Sequence, residues 1–260
     1  MSGTLNLSAG RSYLAIPGPS VIPDQVLQAM HRPSPNIYAG ELVDMTATLI
    51  PDLRRVARTQ HHAAIYICNG HGAVEAALSN VLQPGGKVLV PSSGRFAIGW
   101  SERAEGLGID VEVIDFGNHA PWDLARVAER LKADTSHQIK AVLGVHVDTS
   151  SSFRNDVPGL RAVLDAEQHP ALLMADCIAS LGCDRFEMDD WGVDVMVTGS
   201  QKRPMGPPRP PLAVFTAQAA ALTPPMPRAP PHRAAQWPDS PPPTATTGPT
   251  GHHRATHPTA

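Results

Sequence analysis

The chain has 260 residues, of which 42% are hydrophobic and 17% charged, and its formal net charge at pH 7 is −3. This length is enough for one large α/β domain, or for one domain with a tail. A slightly acidic chain without clustered Lys and Arg predicts no nucleic-acid partner, and the lack of any run of about 18 apolar residues predicts no membrane span.

The N-terminal region is predicted to be an arm over residues 1–22, because residues 16–20 are rich in Pro and Gly. Pro23 then opens a short helix, at an early position where its missing N–H costs little. Residues 41–60 have helical periodicity that is interrupted near Pro51. We therefore expect a kink there, or two abutting helices.

From residue 62 onward, apolar strand patterns alternate with amphipathic helix patterns. This alternation predicts right-handed crossovers and an α/β fold with a mostly parallel sheet covered by helices on both faces. The predicted strands are residues 64–68, 87–90, 111–114, 139–147, 171–176 and 193–197, and the predicted helices are residues 72–82, 96–107, 123–133 and 157–167.

The composition changes after Lys202, where more than half of the 27 prolines are found. Residues 212–215 have the pattern of one more strand, so the large domain is predicted to cover residues 23–222. Residues 223–260 consist mainly of Pro, Ala, Thr, His and Arg. Such a composition buries too little apolar surface to offset the entropy of ordering, so this tail is predicted to be disordered.

Lys202 and Asp176 are the most informative pair, because each follows the apolar residues of a predicted strand. A lysine amine forms a Schiff base with an aldehyde cofactor, and a buried carboxylate keeps a pyridine nitrogen protonated. Both are requirements of pyridoxal phosphate chemistry. The plainer alternatives are a solvated loop lysine, and a buried carboxylate that pairs with an arginine or a helix N-terminus.

Other polar residues also follow predicted strands, and the carboxyl ends of parallel strands are where such sheets bind ligands. The segment Asn69-Gly70-His71-Gly72 opens a helix and suits a phosphate, although an ordinary turn would look the same. Phe96 is placed either to stack on a ring or to fill the core. His146 and Asp148 lack an evident third ligand, so no metal site is predicted. Cys177 is expected to be a small packing residue, since it has no activating base.

At these residues the chain resembles the class V aminotransferases, and within them the serine–glyoxylate and alanine–glyoxylate aminotransferases most. The resemblance covers about residues 10–202, in the order and at the spacing of that family. No single motif decides it, but the set is specific. The matching stretches are residues 17–20, 69–78, 94–96, 145–150, 175–182 and 199–202.

The resemblance implies the pyridoxal phosphate type I fold, a homodimer, and transfer of the amino group of serine or alanine to glyoxylate or a related keto acid. It implies that Lys202 forms the Schiff base with the cofactor and shuttles the proton, while Asp176 holds the pyridine nitrogen. The other implied contacts are Phe96 above the ring, Ile178 beneath it, Asn69, Gly70, His71 and Gln201 at the phosphate, Thr149 at the phenolic oxygen and Gly18 near the substrate.

The chain departs from the family after Lys202, where Arg203, Pro204, Arg209 and Pro210 interrupt the expected sequence. The small C-terminal domain that supplies the arginine for the substrate carboxylate is not recognisable. We therefore expect the C-terminal part to be missing or altered by a reading-frame change, which translation of the neighbouring frames would test.

Three alternatives to an aminotransferase for serine or alanine remain open from the sequence. The chain is an inactive fragment that binds the cofactor, a transaminase for phosphonates, or an α/β nucleotide-binding domain without pyridoxal phosphate. A cysteine desulfurase is disfavoured, because no catalytic cysteine is evident on a flexible loop. Three cysteines in apolar settings and an N-terminus without a leader pattern predict a cytoplasmic location.

Overall fold

The computed structural model describes residues 15–207 and 211–222. The predicted arm before residue 15 and the predicted tail lie outside the described residues. The helices are α1 (Asp24–Met30), α2 (Glu41–Ala57), α3 (Gly70–Val81), α4 (Arg95–Gly106), α5 (Leu124–Ala133), α6 (Val157–Ala166) and α7 (Ala217–Ala221), and the strands are β1 (His62–Ile65), β2 (Lys87–Ser92), β3 (Asp110–Asp115), β4 (Ile139–Val145), β5 (Leu172–Asp176), β6 (Val195–Gly199) and β7 (Pro211–Phe215).

The described strands form one sheet in the order β1-β7-β6-β5-β4-β2-β3. The neighbours from β6 to β3 pair in parallel, whereas β7 is antiparallel to both β6 and β1. Since β7 reverses the direction twice, β1 runs the same way as the parallel strands. The predicted mostly parallel sheet is confirmed, and the carboxyl ends of β1, β2, β4, β5 and β6 share one edge.

Helices cover both faces of the sheet, and each face has its own apolar core. One core joins the sheet to α3 and α4 and includes Leu78 and Trp100, whereas the other joins it to α5 and α6 and includes Leu131 and Leu164. Successive residues of a strand point to opposite faces. In β5, Met174 therefore lies in the first core, and Asp176, two residues further on, belongs to the same face.

Helix α2 is one continuous helix that contains Pro51, so the alternative of two abutting helices is wrong. A proline in a helix frees the carbonyl group four residues earlier, here that of Ala47. Both residues are exposed, so water satisfies this carbonyl group without a helix break. No helix in the described parts of the chain is long and apolar enough to cross a lipid bilayer.

Candidate active site

A cavity of about 540 Å³ opens at the carboxyl edge of the sheet. This volume lies in the range of small-molecule sites. Lys202 and Asp176 both line it, so the two most informative residues of the sequence face one space. The other lining residues come from the loop before α1, the start of α3, the first three turns of α4 and the segments after β5 and β6: Gly18, Pro19, Asn69, Gly70, His71, Val74, Arg95, Phe96, Gly99, Trp100, Glu102, Arg103, Ile178 and Gln201.

Asp176 ends β5 and is 4% exposed. Its Oδ1 accepts a hydrogen bond from the backbone N–H of Ile178 at 2.8 Å, and its Oδ2 accepts one from Trp100 Nε1 at 3.1 Å. Burial raises the pKa of Asp176 to about 6, although these two hydrogen bonds act in the opposite direction. A carboxylate in such a place gains from a cationic partner inside the cavity.

We predict that the raised pKa of Asp176 makes the stability of the cofactor-free protein depend on pH. The folded state holds this proton more tightly than the unfolded state, whose aspartates titrate near 3.8. The free energy of unfolding should therefore fall by about 3 kcal/mol as the pH rises from about 4 to 6, and this contribution should be constant above that range. Urea unfolding across this range measures it.

The matched comparison for this prediction is Asp176→Asn, which cannot titrate. Carboxylates whose pKa is lowered, such as Asp134 and Asp184, change stability in the opposite direction with pH, but they are present in both proteins. The difference in unfolding free energy between the two proteins isolates Asp176. An equal difference at pH 4.5 and pH 7 would contradict the raised pKa.

Lys202 lies in the loop after β6, where the N-terminal loop holds it. Its Nζ donates a hydrogen bond to the carbonyl oxygen of Pro17 at 2.8 Å, and Ser20 Oγ donates to the carbonyl oxygen of Lys202 at 2.8 Å. Gly18 has a φ of 141°, and a Cβ there would lie 2.8 Å from the lysine Nζ. Partial burial lowers the pKa of Lys202, while Asp176 raises it. The lower pKa increases the neutral, nucleophilic fraction of the amine.

The start of α3 forms another wall of the cavity. Asn69 caps this helix, since its Oδ1 accepts from the N–H of Gly72 at 3.0 Å. Gly70 and His71 lie in the first turn, where backbone N–H groups have no acceptor within the helix and favour an anion. A Cβ at Gly70 would lie 2.7 Å from Ile178 Cδ1, so Ile178 would have to shift to admit a side chain there. Partial burial and the nearby Arg103 lower the pKa of His71.

The start of α4 is fixed by Asp148, a fully buried residue in the loop after β4. Its Oδ2 accepts hydrogen bonds from the backbone N–H groups of Phe96 and Ala97 at 2.9 and 3.3 Å. Its Oδ1 accepts from the Ser150 hydroxyl at 2.7 Å and from the Ser150 N–H at 2.9 Å. The half-buried Phe96 is thereby held at the cavity wall.

Replacing Asp148 with alanine should destabilise the protein by about 3 kcal/mol, because it leaves two helix N–H groups buried without acceptors. Urea unfolding measures this loss. Asp123→Ala is the matched control, since Asp123 caps α5 through Ala125 at an exposed position and should cost about 1 kcal/mol. Equal losses in the two variants would show that Asp148 is an ordinary cap.

Not all the residues predicted at this edge of the sheet line the cavity. His146 packs against Phe186 and Trp191 on the opposite face, with its Nδ1 at 2.9 Å from Ser180 Oγ. Thr149 is half-buried but is not a lining residue. Ser200, two residues before Lys202, does not line the cavity either, and its hydroxyl donates to the carbonyl oxygen of Pro207.

His146 and Asp148 are not brought together as a pair of ligands, because the imidazole contacts Ser180 and the carboxylate accepts hydrogen bonds at the start of α4. In the described residues, no group of three or more His, Cys, Asp and Glu is arranged to hold a metal ion. Burial raises the pKa of Cys177, which fits its expected role as a packing residue.

Trp100 is a site residue that sequence reasoning missed. It is 2% exposed and lies on α4 one turn after Phe96, so both side chains share one face of the helix. The available signal was the spacing of two aromatic residues at i and i+4, just after a strand that ends at the edge of the sheet where ligands were expected. It was weak, because buried aromatic residues at helical spacing are most often core residues.

The chemistry of these groups fits pyridoxal phosphate. A buried carboxylate suits a protonated ring nitrogen, a half-buried amine suits an aldehyde, and the first turn of α3 suits a phosphate. A Cβ at Gly18 would meet the Lys202 side chain and one at Gly70 would meet Ile178, so the two glycines let the backbone approach these lining residues closely. The fold and the site together define a protein of the pyridoxal phosphate type I class.

Comparisons with known proteins identify the family. Residues 12–209 match the model of the family described as aminotransferase class-V, so the chain belongs to that family. Membership implies pyridoxal phosphate as the cofactor. The chain is similar to a serine–glyoxylate aminotransferase of Hyphomicrobium methylovorum, with 40% identity over 193 residues, which are 73% of this chain and 47% of that protein.

Two further similarities are informative. An L-aspartate–glyoxylate aminotransferase of Paracoccus denitrificans is 37% identical over 196 residues, which are 74% of this chain and 49% of that protein. The crystal structure of an aspartate aminotransferase from Thermus thermophilus has a TM-score of 0.76 at 26% identity, and covers 86% of this chain and 61% of that one. The chain spans about half the length of the curated relatives it matches.

Proposed function

We propose that this protein transfers the amino group of a small amino acid, serine or alanine, to glyoxylate or a related keto acid, with pyridoxal phosphate as cofactor. The observation that carries the proposal is that Lys202 and Asp176 line one cavity together with the N-terminus of α3. The names of the relatives at 37% and 40% identity support glyoxylate as the acceptor. One of them is named for aspartate, so aspartate is a donor to be tested beside serine and alanine.

When bound, pyridoxal phosphate supplies an aldehyde that condenses with amines and a ring that takes up the electrons of the substrate Cα–H bond. In this proposal Lys202 Nζ holds the cofactor until an amino acid displaces it. The same Nζ then removes the Cα proton of the substrate. It delivers this proton to the carbon atom that was the aldehyde carbon of the cofactor. Its lowered pKa favours both roles, because each needs the neutral amine.

The other residues are proposed to bind the cofactor and the substrate and to orient them. Asp176 holds the proton of the ring nitrogen, Phe96 and Ile178 enclose the ring, and Gly18 lies beside Lys202 where the substrate enters. Thr149 is proposed at the phenolic oxygen from the family resemblance alone, since it does not line the cavity. The phosphate is assigned to Asn69, Gly70, His71 and Gln201.

The test is a spectrum of the purified full chain with added pyridoxal phosphate, before and after each amino acid. Binding through Lys202 should give an aldehyde–amine absorption band that borohydride abolishes. Serine, alanine or aspartate should then convert the band to that of the aminated cofactor, and glyoxylate should restore it. These two half-reactions together establish amino transfer.

Each alternative predicts a different outcome of the same experiment. A band that forms but does not respond to any amino acid would identify a fragment that binds the cofactor without turnover. Conversion by an aminophosphonate alone would identify a phosphonate transaminase. A protein that stays colourless and binds nucleotide instead would contradict the proposal altogether.

We also propose that the protein is a homodimer. Several large apolar side chains of α1, α2 and the segment between them are exposed, which is typical of a surface that another subunit covers. Analytical ultracentrifugation should give a dimer, and charged substitutions at Met45 and Leu49 should shift it towards the monomer. A monomer at all concentrations would contradict this prediction. The exposed residues are Leu27, Met30, Ile37, Tyr38, Val43, Met45, Leu49 and Val56.

A further inference from the structure

The carboxylate of Asp176 is held by one donor on each oxygen. The backbone N–H of Ile178 fixes Oδ1 from the loop that follows β5, and the indole Nε1 of Trp100 fixes Oδ2 from α4. The first donor is close in sequence and is a backbone N–H, which every residue except proline would supply at position 178. The second comes from a side chain 76 residues away, so it depends on the identity of residue 100.

The indole is well placed to control this carboxylate. Trp100 packs in the core between the sheet and α3 and α4, and it also lines the cavity. Such a buried ring has few alternative rotamers, so its N–H direction is fixed. A carboxylate oxygen has room for two donors, so Oδ2 still accepts a hydrogen bond from a ligand in the cavity while it accepts one from the indole.

We propose that Trp100 is a positioning residue that acts through Asp176: its indole N–H sets the orientation of the carboxylate and favours its ionised form. This inference rests on the proposed function, in which the ionised carboxylate holds the proton of the cofactor's ring nitrogen. Trp100 itself has no proton to exchange in the reaction, and its effect reaches the cofactor only through Asp176.

The charged groups around Asp176 explain why such a donor is needed. Burial and the nearby Asp148 both favour the protonated acid, and the adjacent Cys177 brings no positive charge. Lys202 favours the carboxylate, but its charge is lost when the amine is neutral. The hydrogen bonds from Ile178 and Trp100 then remain to stabilise the charge.

The test is a pH titration of the Asp176 carboxyl group in the cofactor-free full chain. Carbon NMR of aspartate-labelled protein follows the group, and Asp176→Asn identifies its signal by removing it. The titration midpoint should lie near pH 6 in the unchanged protein. In Trp100→Phe it should rise by about one pH unit, the tenfold change expected for the loss of one hydrogen bond to a charged group.

A second variant separates the hydrogen bond from packing. Benzothienylalanine at position 100 keeps the shape of the indole but replaces the N–H with sulfur, so it should reproduce the shift without leaving a cavity. A midpoint unchanged within about 0.2 pH unit in the folded variants would overturn the proposal, since the indole would then have only a packing role.

Cofactor affinity supplies an independent readout. Trp100→Phe should weaken pyridoxal phosphate binding about tenfold, measured by fluorescence, and should have no more than about a twofold effect when Asp176→Asn is also present. Equal losses in both backgrounds would contradict an action through Asp176. The NMR titration needs no cofactor, so it tests the coupling of Trp100 and Asp176 separately from the proposed function. A protein that shows the expected midpoints but never binds pyridoxal phosphate would contradict the proposed function and would still support the coupling.

Discussion

Replacing Lys202 with alanine is expected to lower the rate of amino transfer from serine by about 1,000-fold or more. The lysine is proposed both to hold the cofactor and to move the substrate proton, and a positioned acid–base group alone contributes about 100- to 10,000-fold. Single-turnover absorbance measurements with saturating pyridoxal phosphate give this rate. Borohydride followed by mass spectrometry should attach the cofactor to the unchanged protein at Lys202 and leave Lys202→Ala unmodified.

Lys132→Ala is the matched control, because Lys132 is exposed on α5 and does not line the cavity. It should transfer amino groups at the rate of the unchanged protein and should still take up the cofactor at Lys202. Reduction that labels Lys132, or a Lys202→Ala variant that retains its rate, would show that another amine carries the reaction. The hydrogen bond from Lys202 to Pro17 is lost in the alanine variant, so both proteins should be compared by circular dichroism.

The parallel sheet and its helices were predictable from the sequence because each element carries a local periodic signal. Strand β5 consists of five buried residues, and α5 has an apolar stripe that includes Val127 and Leu131. Element ends were less exact, as β6 begins at Val195 rather than at residue 193. Residues that follow a strand in sequence were correctly expected near the sheet edge, which is how Asp176 and Lys202 were found together.

The sequence could not show which face of the sheet each strand end points to. His146 and Asp176 follow neighbouring strands at the same edge, but Val145 lies in the core beneath α3 and α4, so His146 points to the other face. Only the packed structure shows to which face of the sheet each residue at a strand end points. Trp100 was missed for a related reason, since its hydrogen bond to Asp176 joins residues that are distant in the chain and carries no local pattern.

The structure also explains why the helix does not divide at Pro51. The chemistry of this proline predicts a kink or two abutting helices, and α2 continues through it to Ala57. The exposed position lets water replace the missing hydrogen bond, and the residues that follow anchor the helix, as Leu53 and Ala57 pack against the core between the sheet and α5 and α6. Tertiary packing therefore outweighs the local cost of the proline.

Replacing Asp176 with asparagine is expected to lower the rate of amino transfer by about 100- to 1,000-fold while the protein stays folded. An amide has nearly the same shape but no charge, so it cannot hold a proton on the ring nitrogen, and the ring then accepts the substrate's electrons poorly. The amide also has a donor and an acceptor where the carboxylate has two acceptors. One of the hydrogen bonds from Ile178 and Trp100 must therefore be lost.

Single-turnover rates with serine measure this loss, and Asp194→Asn provides the matched control. Asp194 is a half-buried carboxyl group whose pKa burial raises, and it accepts a hydrogen bond from the N–H of Leu173 at 2.8 Å. It lies directly before β6, on the side of the sheet away from the cavity's carboxyl edge, so its replacement should change stability but not the rate of amino transfer. If both variants lose rate equally, the loss comes from placing an amide where a shielded carboxyl group stood, and the charge of Asp176 has no special role at the cofactor ring.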